Sequence, residues 1–208
     1  MRCQEEGMPR QSRVCYSASM SSPDDDATQR HILKNGLELI VRRASAQDAE
    51  RVISFVEQVA GESENITIGP GDFDISLEEE RAFLQKCKES VAGFLYLVAE
   101  IDGEIIGTLS FAAGKRPRTQ HAGEFGTSVL RRYWNQGIGS YLLTYLIDWA
   151  RHTGIIRKIN LRVRVDNSAA IHLYEKHGFV CEGRVSRELY LHQEFVDVYV
   201  MGLELDPE

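Results

Sequence analysis

The sequence predicts an α/β (α+β) fold: a mixed, mostly antiparallel sheet of about six to seven strands flanked by about four helices. Three observations lead there. The run "FLYLVAEIDGEIIGTLSFAAG" (residues 94–114) sets two β-rich stretches on either side of Asp102-Gly103, a dipeptide favoured by tight hairpin turns. A strand-helix-strand unit follows, from "EFGTSVL" to "KINLRVRV", and strands joined through a helix in one sheet run parallel. Two further β-rich runs, "FVCEGRVSRELYL" and "EFVDVYVMGLEL", close the chain as a hairpin.

Taken in order, residues 1–36 read as a poorly ordered extension and residues 37–208 as one domain. The first 34 residues show no strand or helix period, carry a Ser-rich patch followed by Asp24, Asp25 and Asp26, and balance five basic side chains against five acidic ones. Met8 and Met20 leave room for a later start. From Leu37, "LELIVRRA" alternates as a strand, and "SAQDAERVISFVEQVA" places Ala49, Val52, Ile53, Val56 and Val59 on one helical face. The turn-rich residues 61–75 form a loop. Ser76 and Glu79 have capping-box spacing and start a second helix. Beyond the hairpin a short strand ends at Leu130. Ile138, Leu142, Tyr145, Leu146 and Trp149 then mark the buried stripe of a third helix that reaches His152. Ile159, Leu161, Val163 and Val165 share one face of the next strand. Asp166 and Asn167 are good caps for a short fourth helix, "SAAIHLYEKH", which Gly178 stops. Cys181 reads as a small buried residue of the strand that follows.

Composition narrows the function. An apolar share of 43% and a charged share of 26% belong to an ordinary globular protein. The net charge of −7, all of it outside the first 34 residues, argues against broad nucleic-acid binding, which rests on basic patches. No apolar run nears the ~18 residues of a membrane span, and the start lacks the basic-then-apolar layout of a signal peptide. Cys3, Cys15, Cys87 and Cys181 form no C-x-x-C pair and are too few for a disulfide framework, so they read as reduced thiols of a cytoplasmic protein. The histidines show no metal-ligand spacing; His172 and His177 read as solvated.

The stretch "RRYWNQGIGSYLL" (residues 131–143) carries the chemistry. Gly137 and Gly139 stand where a helix begins, although glycine inside a helix costs about 1 kcal/mol against alanine. A strand that ends in a glycine turn and feeds a helix aims several N–H groups one way. The macrodipole adds about half a positive charge there, which suits phosphate oxygens. A tight turn without a ligand is the plain alternative. A Walker A loop needs Gly-Lys-Ser/Thr, and Gly137-Ile138-Gly139-Ser140 is preceded by no such lysine. A dinucleotide loop needs a third glycine, where Leu142 stands, and an acidic residue about 20 positions on, which the neighbourhood of Ile159 does not offer. A coenzyme A pyrophosphate loop is the third reading.

That stretch, followed by "VRVDNSAAIHLYEKHGFVCEG", resembles the GCN5-related N-acetyltransferases, the GNAT family, and the resemblance runs over roughly residues 38–205. The family loop, Gln/Arg-x-x-Gly-x-Gly/Ala, falls on Trp134, Asn135, Gln136, Gly137, Ile138 and Gly139, with Trp134 departing from the pattern; Ser140 completes the cofactor-binding set. The resemblance implies that Val129 and Leu130 bond the pantetheine arm through main-chain atoms, that Asn167 touches the cofactor arm, and that Tyr174 lies near the thiol and donates its proton to the departing thiolate. It implies acetyl-CoA as cosubstrate, no metal, and direct attack by a primary amine (small amine, amino acid or peptide amino group) in a ternary complex. Only about one ammonium in a thousand with a pKa near 10.4 is free base at neutral pH, so a base must take its proton. Glu124, at the start of the strand leading to the loop, resembles the carboxylate that some members use. A surface glutamate is the alternative for Glu124, and a core tyrosine, on a face shared with Ala170 and Leu173, for Tyr174. Arg131 and Arg132 stand ready for phosphates or for solvent. The competing function is a non-catalytic coenzyme A sensor or interaction module on the same fold. Glu62, Glu64, Asp72, Asp74, Glu78, Glu79 and Glu80, in the stretch that the family uses as one wall of the acceptor cleft, make a cationic acceptor the expectation. No nucleic-acid or membrane partner is expected, and the reading admits a homodimer.

Overall fold

In the computed structural model, which describes residues 28–205, the chain opens with two short antiparallel strands, β1 (Gln29–Ile32) and β2 (Glu38–Arg43). β1 falls within the stretch read as an extension and moves the start of the domain ahead of residue 37. Its four residues carry no pattern of their own; pairing with β2 is what makes them a strand. The expectation of poor order for residues 1–27, with Met8, Met20, Cys3 and Cys15, lies outside the described residues.

A single 3₁₀ turn, capped by Ser45, leads into α1 (Ala49–Glu62), which buries Ala49, Val52, Phe55, Val56 and Val59. Ile53 is only partly covered, because the stripe is centred one position over, on Phe55. α2 (Leu77–Glu89) begins at the expected capping box: Ser76 Oγ accepts from the Glu79 N–H at 3.2 Å, and Glu79 Oε2 accepts from the Ser76 N–H at 2.9 Å. β3 (Phe94–Ile101) and β4 (Glu104–Ala113) form the expected hairpin, with Asp102 at φ 50° and Gly103 at φ 80°. Both values are left-handed, as a tight primed turn requires. β5 (Ala122–Val129), α3 (Ile138–His152), β6 (Lys158–Arg164) and α4 (Ser168–Lys176) follow, and the whole expected stripe of α3 is buried. The chain closes with the hairpin of β7 (Val180–Leu191) and β8 (Glu194–Glu204).

The eight strands form one sheet, ordered β1-β2-β3-β4-β5-β6-β8-β7, slightly more strands than the sequence suggested. β7 is an edge strand exposed on both faces, so Cys181 is exposed rather than buried: its apolar neighbours imitate a core strand, but no element covers them. Every pairing is antiparallel except β5 with β6, which pair in parallel at Ala122↔Lys158, Gly123↔Ile159 and Glu124↔Asn160 and nowhere else. Beyond Glu124 and Asn160, β5 keeps only β4 and β6 keeps only β8. The two strands therefore part toward their C-terminal ends.

Helices cover both faces. Phe111 packs edge-on against Trp149 of α3 at 5.5 Å, while Tyr96, next to Phe111's cross-strand partner Leu95, meets Phe83 of α2 at 6.0 Å. Successive strand residues face opposite ways, so α3 and α2 lie on opposite sides. At the start of α1 a charge cluster ties β2, β3 and the helix together. Arg42 donates to both carboxylate oxygens of Asp48 at 2.8 Å and to Glu100 at 2.8 and 2.9 Å, and Arg51 reaches both acids. No helix among the described residues is long and apolar enough to cross a membrane.

Candidate active site

The parting of β5 and β6 makes a gap in an otherwise continuous sheet, and the sequence-predicted residues gather around it. Cross-strand register puts Phe94, Ala112, Glu124 and Asn160 in one row on the α2 side, and Leu95, Phe111 and Phe125 in the next row on the α3 side. Glu124 thus stands at the closed end of the gap on one face. Its side chain is 54% exposed, with the Arg162 guanidinium 3.8 Å away; Arg162 in turn holds Glu188 at 2.6 Å. Tyr174 stands on the other face, its ring 8% exposed and packed against Phe125 at 5.8 Å and Phe179 at 6.1 Å. The ring is core, as one reading had it, and the hydroxyl makes no hydrogen bond with any described residue. Burial pushes its pKa up to about 12, so the phenol keeps its proton.

At the open end, β5 finishes at Val129 and the loop begins with Leu130. The Leu130 N–H is spent on Ile106 O at 2.9 Å, and its side chain is buried. Trp134 Nε1 donates to Val129 O at 2.6 Å, and Arg131 lies over the indole at 5.6 Å. The residue that departs from the family pattern therefore pins the corner where the chain leaves the strand. Asn135 at φ 60° and Gly137 at φ 86° turn the backbone left-handed twice in three residues. Gly137 is the N-cap of α3 and supplies no capping side chain. The N–H groups of Asn135, Gln136, Gly137, Ile138 and Gly139 have no acceptor among the described residues. Five unspent donors at a positive helix end fit phosphate oxygens.

Gly139 answers to a different demand. A Cβ there would come within 2.9 Å of Leu173 Cδ2, so its bareness lets α3 and α4 approach each other. Ser140 Oγ lies 2.6 Å from His177 Nε2, which corrects the reading of His177 as solvated: it is half-buried, and burial, with Lys176 beside it, lowers its pKa. Asn167 is the N-cap of α4, its Oδ1 accepting from the Ala170 N–H at 3.2 Å.

The cations ahead of the loop are engaged by carboxylates and carbonyls rather than left to solvent. The Arg131 N–H donates to Glu62 Oε2 at 2.8 Å, its guanidinium bonds Glu62 O, and Arg132 pairs with Glu104. On the far side of the gap, Arg164 donates to Glu64 O at 2.9 Å, and His192, in the β7–β8 turn, lies 2.8 Å from Glu64 Oε1. The segment after α1 is thereby fastened to both strands of the gap. The acids behind the expected cationic acceptor are mostly spoken for. Glu62 and Glu64 are paired, Asp72 accepts from the Gly69 N–H at 2.9 Å, Glu79 is in the capping box, and Glu80 is buried. Sequence reading missed Glu62, Glu64, Arg164 and His192 as a group because their partners are 69 to 128 residues away, a separation no local pattern reports.

The model of the Acetyltransferase (GNAT) family matches residues 64–179, more than half of the chain. The L-amino acid N-acetyltransferase AaaT of Escherichia coli (strain K12) is 31% identical over 165 residues, which are 79% of this chain and 97% of AaaT. An N-alpha-acetyltransferase of Sulfurisphaera tokodaii is 35% identical over 131 residues, 59% of this chain and 75% of that protein. Among solved structures, the acetyltransferase of GNAT family from Streptococcus pneumoniae superposes with a TM-score of 0.78 at 37% identity, covering 81% of this chain and 99% of its own. The fold of yncA from Salmonella typhimurium, solved with its cofactor acetyl-CoA, matches at a TM-score of 0.70 and 22% identity, over 82% of this chain and 95% of that one. With the family model over more than half of its length and a relative aligned almost end to end, the chain belongs to the GNAT acetyltransferase family and is an acyltransferase.

Proposed function

We propose that this protein transfers an acetyl group from acetyl-CoA to the primary amine of an amino acid or a peptide amino terminus, by direct attack in a ternary complex. One observation carries the reading: the gap between β5 and β6 has unspent N–H donors at its open end, Glu124 on one face and Tyr174 on the other. The thioester supplies an activated acetyl group; the remaining work belongs to the protein. Asn135 through Gly139, with Ser140 beside them, hold the pyrophosphate, and Val129, Leu130 and Asn167 flank the pantetheine arm. Trp134 acts through the corner it pins. The amine approaches from the α2 face, where Glu124 takes its proton, and the thiolate departs on the α4 face beside the Tyr174 hydroxyl. Keeping the two on opposite faces lets acceptor and cofactor enter without crossing.

The acceptor class is supported by the amino-acid and amino-terminal activities named for two relatives. The acidic stretch speaks less for a cationic acceptor, because the carboxylates of Glu62, Glu64, Asp72 and Glu79 already accept hydrogen bonds from the protein. Thiol release from acetyl-CoA should be followed against a matched panel of neutral, anionic and cationic amino acids, short peptides and polyamines. Release that depends on α-amino compounds is expected. Release with polyamines alone would return the acceptor to the cationic class, and no release with any amine would leave the non-catalytic sensor in its place.

A further inference from the structure

The β1–β2 turn, the last part of the stretch that the sequence leaves without a role, touches the loop that precedes α3. Asn35 Oδ1 accepts from the Leu37 N–H at 3.2 Å, which leaves its amide to donate, and Asn35 Nδ2 donates to Gln136 Oε1 at 2.9 Å. Gln136 Nε2 then donates to Arg132 O at 3.2 Å. The two amides form a relay with one direction, since flipping either would set donor against donor or oxygen against oxygen. A second contact lies one turn further on. The His31 ring stacks on Tyr141, in the first turn of α3, with centroids 4.1 Å apart and planes 26° apart. Burial lowers the His31 pKa, which keeps the stacked ring neutral.

The turn can bear this load because it is itself fixed. The Leu33 N–H donates to Leu37 O and the Gly36 N–H to Leu33 O, both at 2.9 Å, and Leu33 is buried in the core. The loop has need of it. Of its two left-handed residues within three, Asn135 is not a glycine and holds its φ of 60° against the preference of an L side chain. Five neighbouring N–H groups without an acceptor gain from an anion that reaches them. A loop held in that shape beforehand binds its ligand without having to be ordered first.

We infer that Asn35 and His31 are positioning residues for the cofactor: through Gln136 and Tyr141 they clamp the loop at both ends in the form that receives acetyl-CoA. This rests on the proposal that acetyl-CoA binds at that loop. The test is calorimetric titration of the full chain with acetyl-CoA, for wild type, Asn35→Ala, Gln136→Ala and the double variant, with steady-state kinetics on each. Asn35→Ala should weaken acetyl-CoA binding about 3- to 10-fold, as the loss of one hydrogen bond does. The KM for acetyl-CoA should rise by the same factor, and the KM for the amine should stay put. The double variant should be no weaker than the weaker single one, because both remove the same relay. Asn35→Ser keeps an oxygen for the turn, and it should show the same loss if Asn35→Ala does not fold. Wild-type affinity in the Asn35 variants, or strictly additive losses, would overturn the clamp. If Gly137→Val abolishes binding while the Asn35 variants bind normally, the clamp falls and the site stands; if wild type itself does not bind acetyl-CoA, the site falls with it.

Discussion

The different duties proposed for Tyr174 and Glu124 follow from their surroundings. With its pKa raised to about 12, against a thiol near 8.5, a Tyr174 that serves the departing thiolate in the proposed reaction would keep its proton. Its part would be to stabilise the developing charge by a hydrogen bond, a contact with an ion worth roughly 1.5 to 3 kcal/mol. Tyr174→Phe is therefore expected to lower kcat about 10- to 100-fold with acetyl-CoA affinity unchanged, as single-turnover rates and calorimetry would show. No alkaline limb from this residue should enter the pH profile below about 12. An unchanged kcat would return Tyr174 to packing alone. Glu124 is half-exposed beside Arg162. Glu124→Gln should cost about 10² in kcat at neutral pH. The deficit should shrink as pH climbs toward the amine's own pKa, where free base is no longer scarce; a pH profile parallel to wild type would move the base elsewhere. Gly137 and Gly139, so alike in the sequence, part company here: the first is there for a left-handed φ of 86°, the second for the 2.9 Å approach of Leu173.

Among the elements, α1 shows how local signals and distant charges divide the work. Its apolar stripe was legible apart from the centring on Phe55, and the Ser76 capping box of α2 was legible to the residue, because both are written within one or two helical turns. The Arg42, Asp48, Arg51 and Glu100 cluster was not, since it joins β2, the start of α1 and β3. Asp48 is 2% exposed. Burial by itself would raise its pKa, but hydrogen bonds from Arg42 and Ser45 outweigh that and hold the carboxyl well below the usual carboxylate range. Breaking such a cluster from one side is expected to cost about 3 kcal/mol, so Asp48→Asn should lower unfolding free energy by that order at pH 7. The sign with pH follows from the depressed folded pKa. Once pH falls below the unfolded carboxyl's ~3.9, the unfolded chain takes up a proton that the folded chain refuses, and the stabilisation fades. Denaturant melts of wild type and variant should therefore converge between about pH 4 and pH 2. Curves that stay parallel would assign the loss to packing. The β7–β8 turn was legible only through its flanking strands: His192 and Gln193 are both left-handed, at φ 51° and 66°, with no glycine or asparagine to announce it.

For the molecule as a whole, the sequence disclosed the mixed sheet, the crossover through α3 and the loop at its entry, since each rests on short-range periodicity or a turn dipeptide. It concealed β1, which exists only through β2, and the exposure of β7, which depends on what does not cover it. The sides on which Glu124 and Tyr174 lie follow from register, a property of paired strands rather than of any one of them. The three-pair seam between β5 and β6 has one more consequence. Every antiparallel ladder lies wholly on one side of it: β1 to β5 before the 153–157 connection, and β6 with β8 and β7 after it. A cut beside Gly154, an exposed connection residue at φ 63°, would leave two pieces, each with its own ladders intact, to reunite along three rungs and the helix faces where Gly139 meets Leu173. Glu124 would travel on one piece and Tyr174 on the other. If both residues act as proposed, neither piece could then catalyse alone, and turnover recovered on mixing would report their reunion, making the protein its own two-part complementation assay.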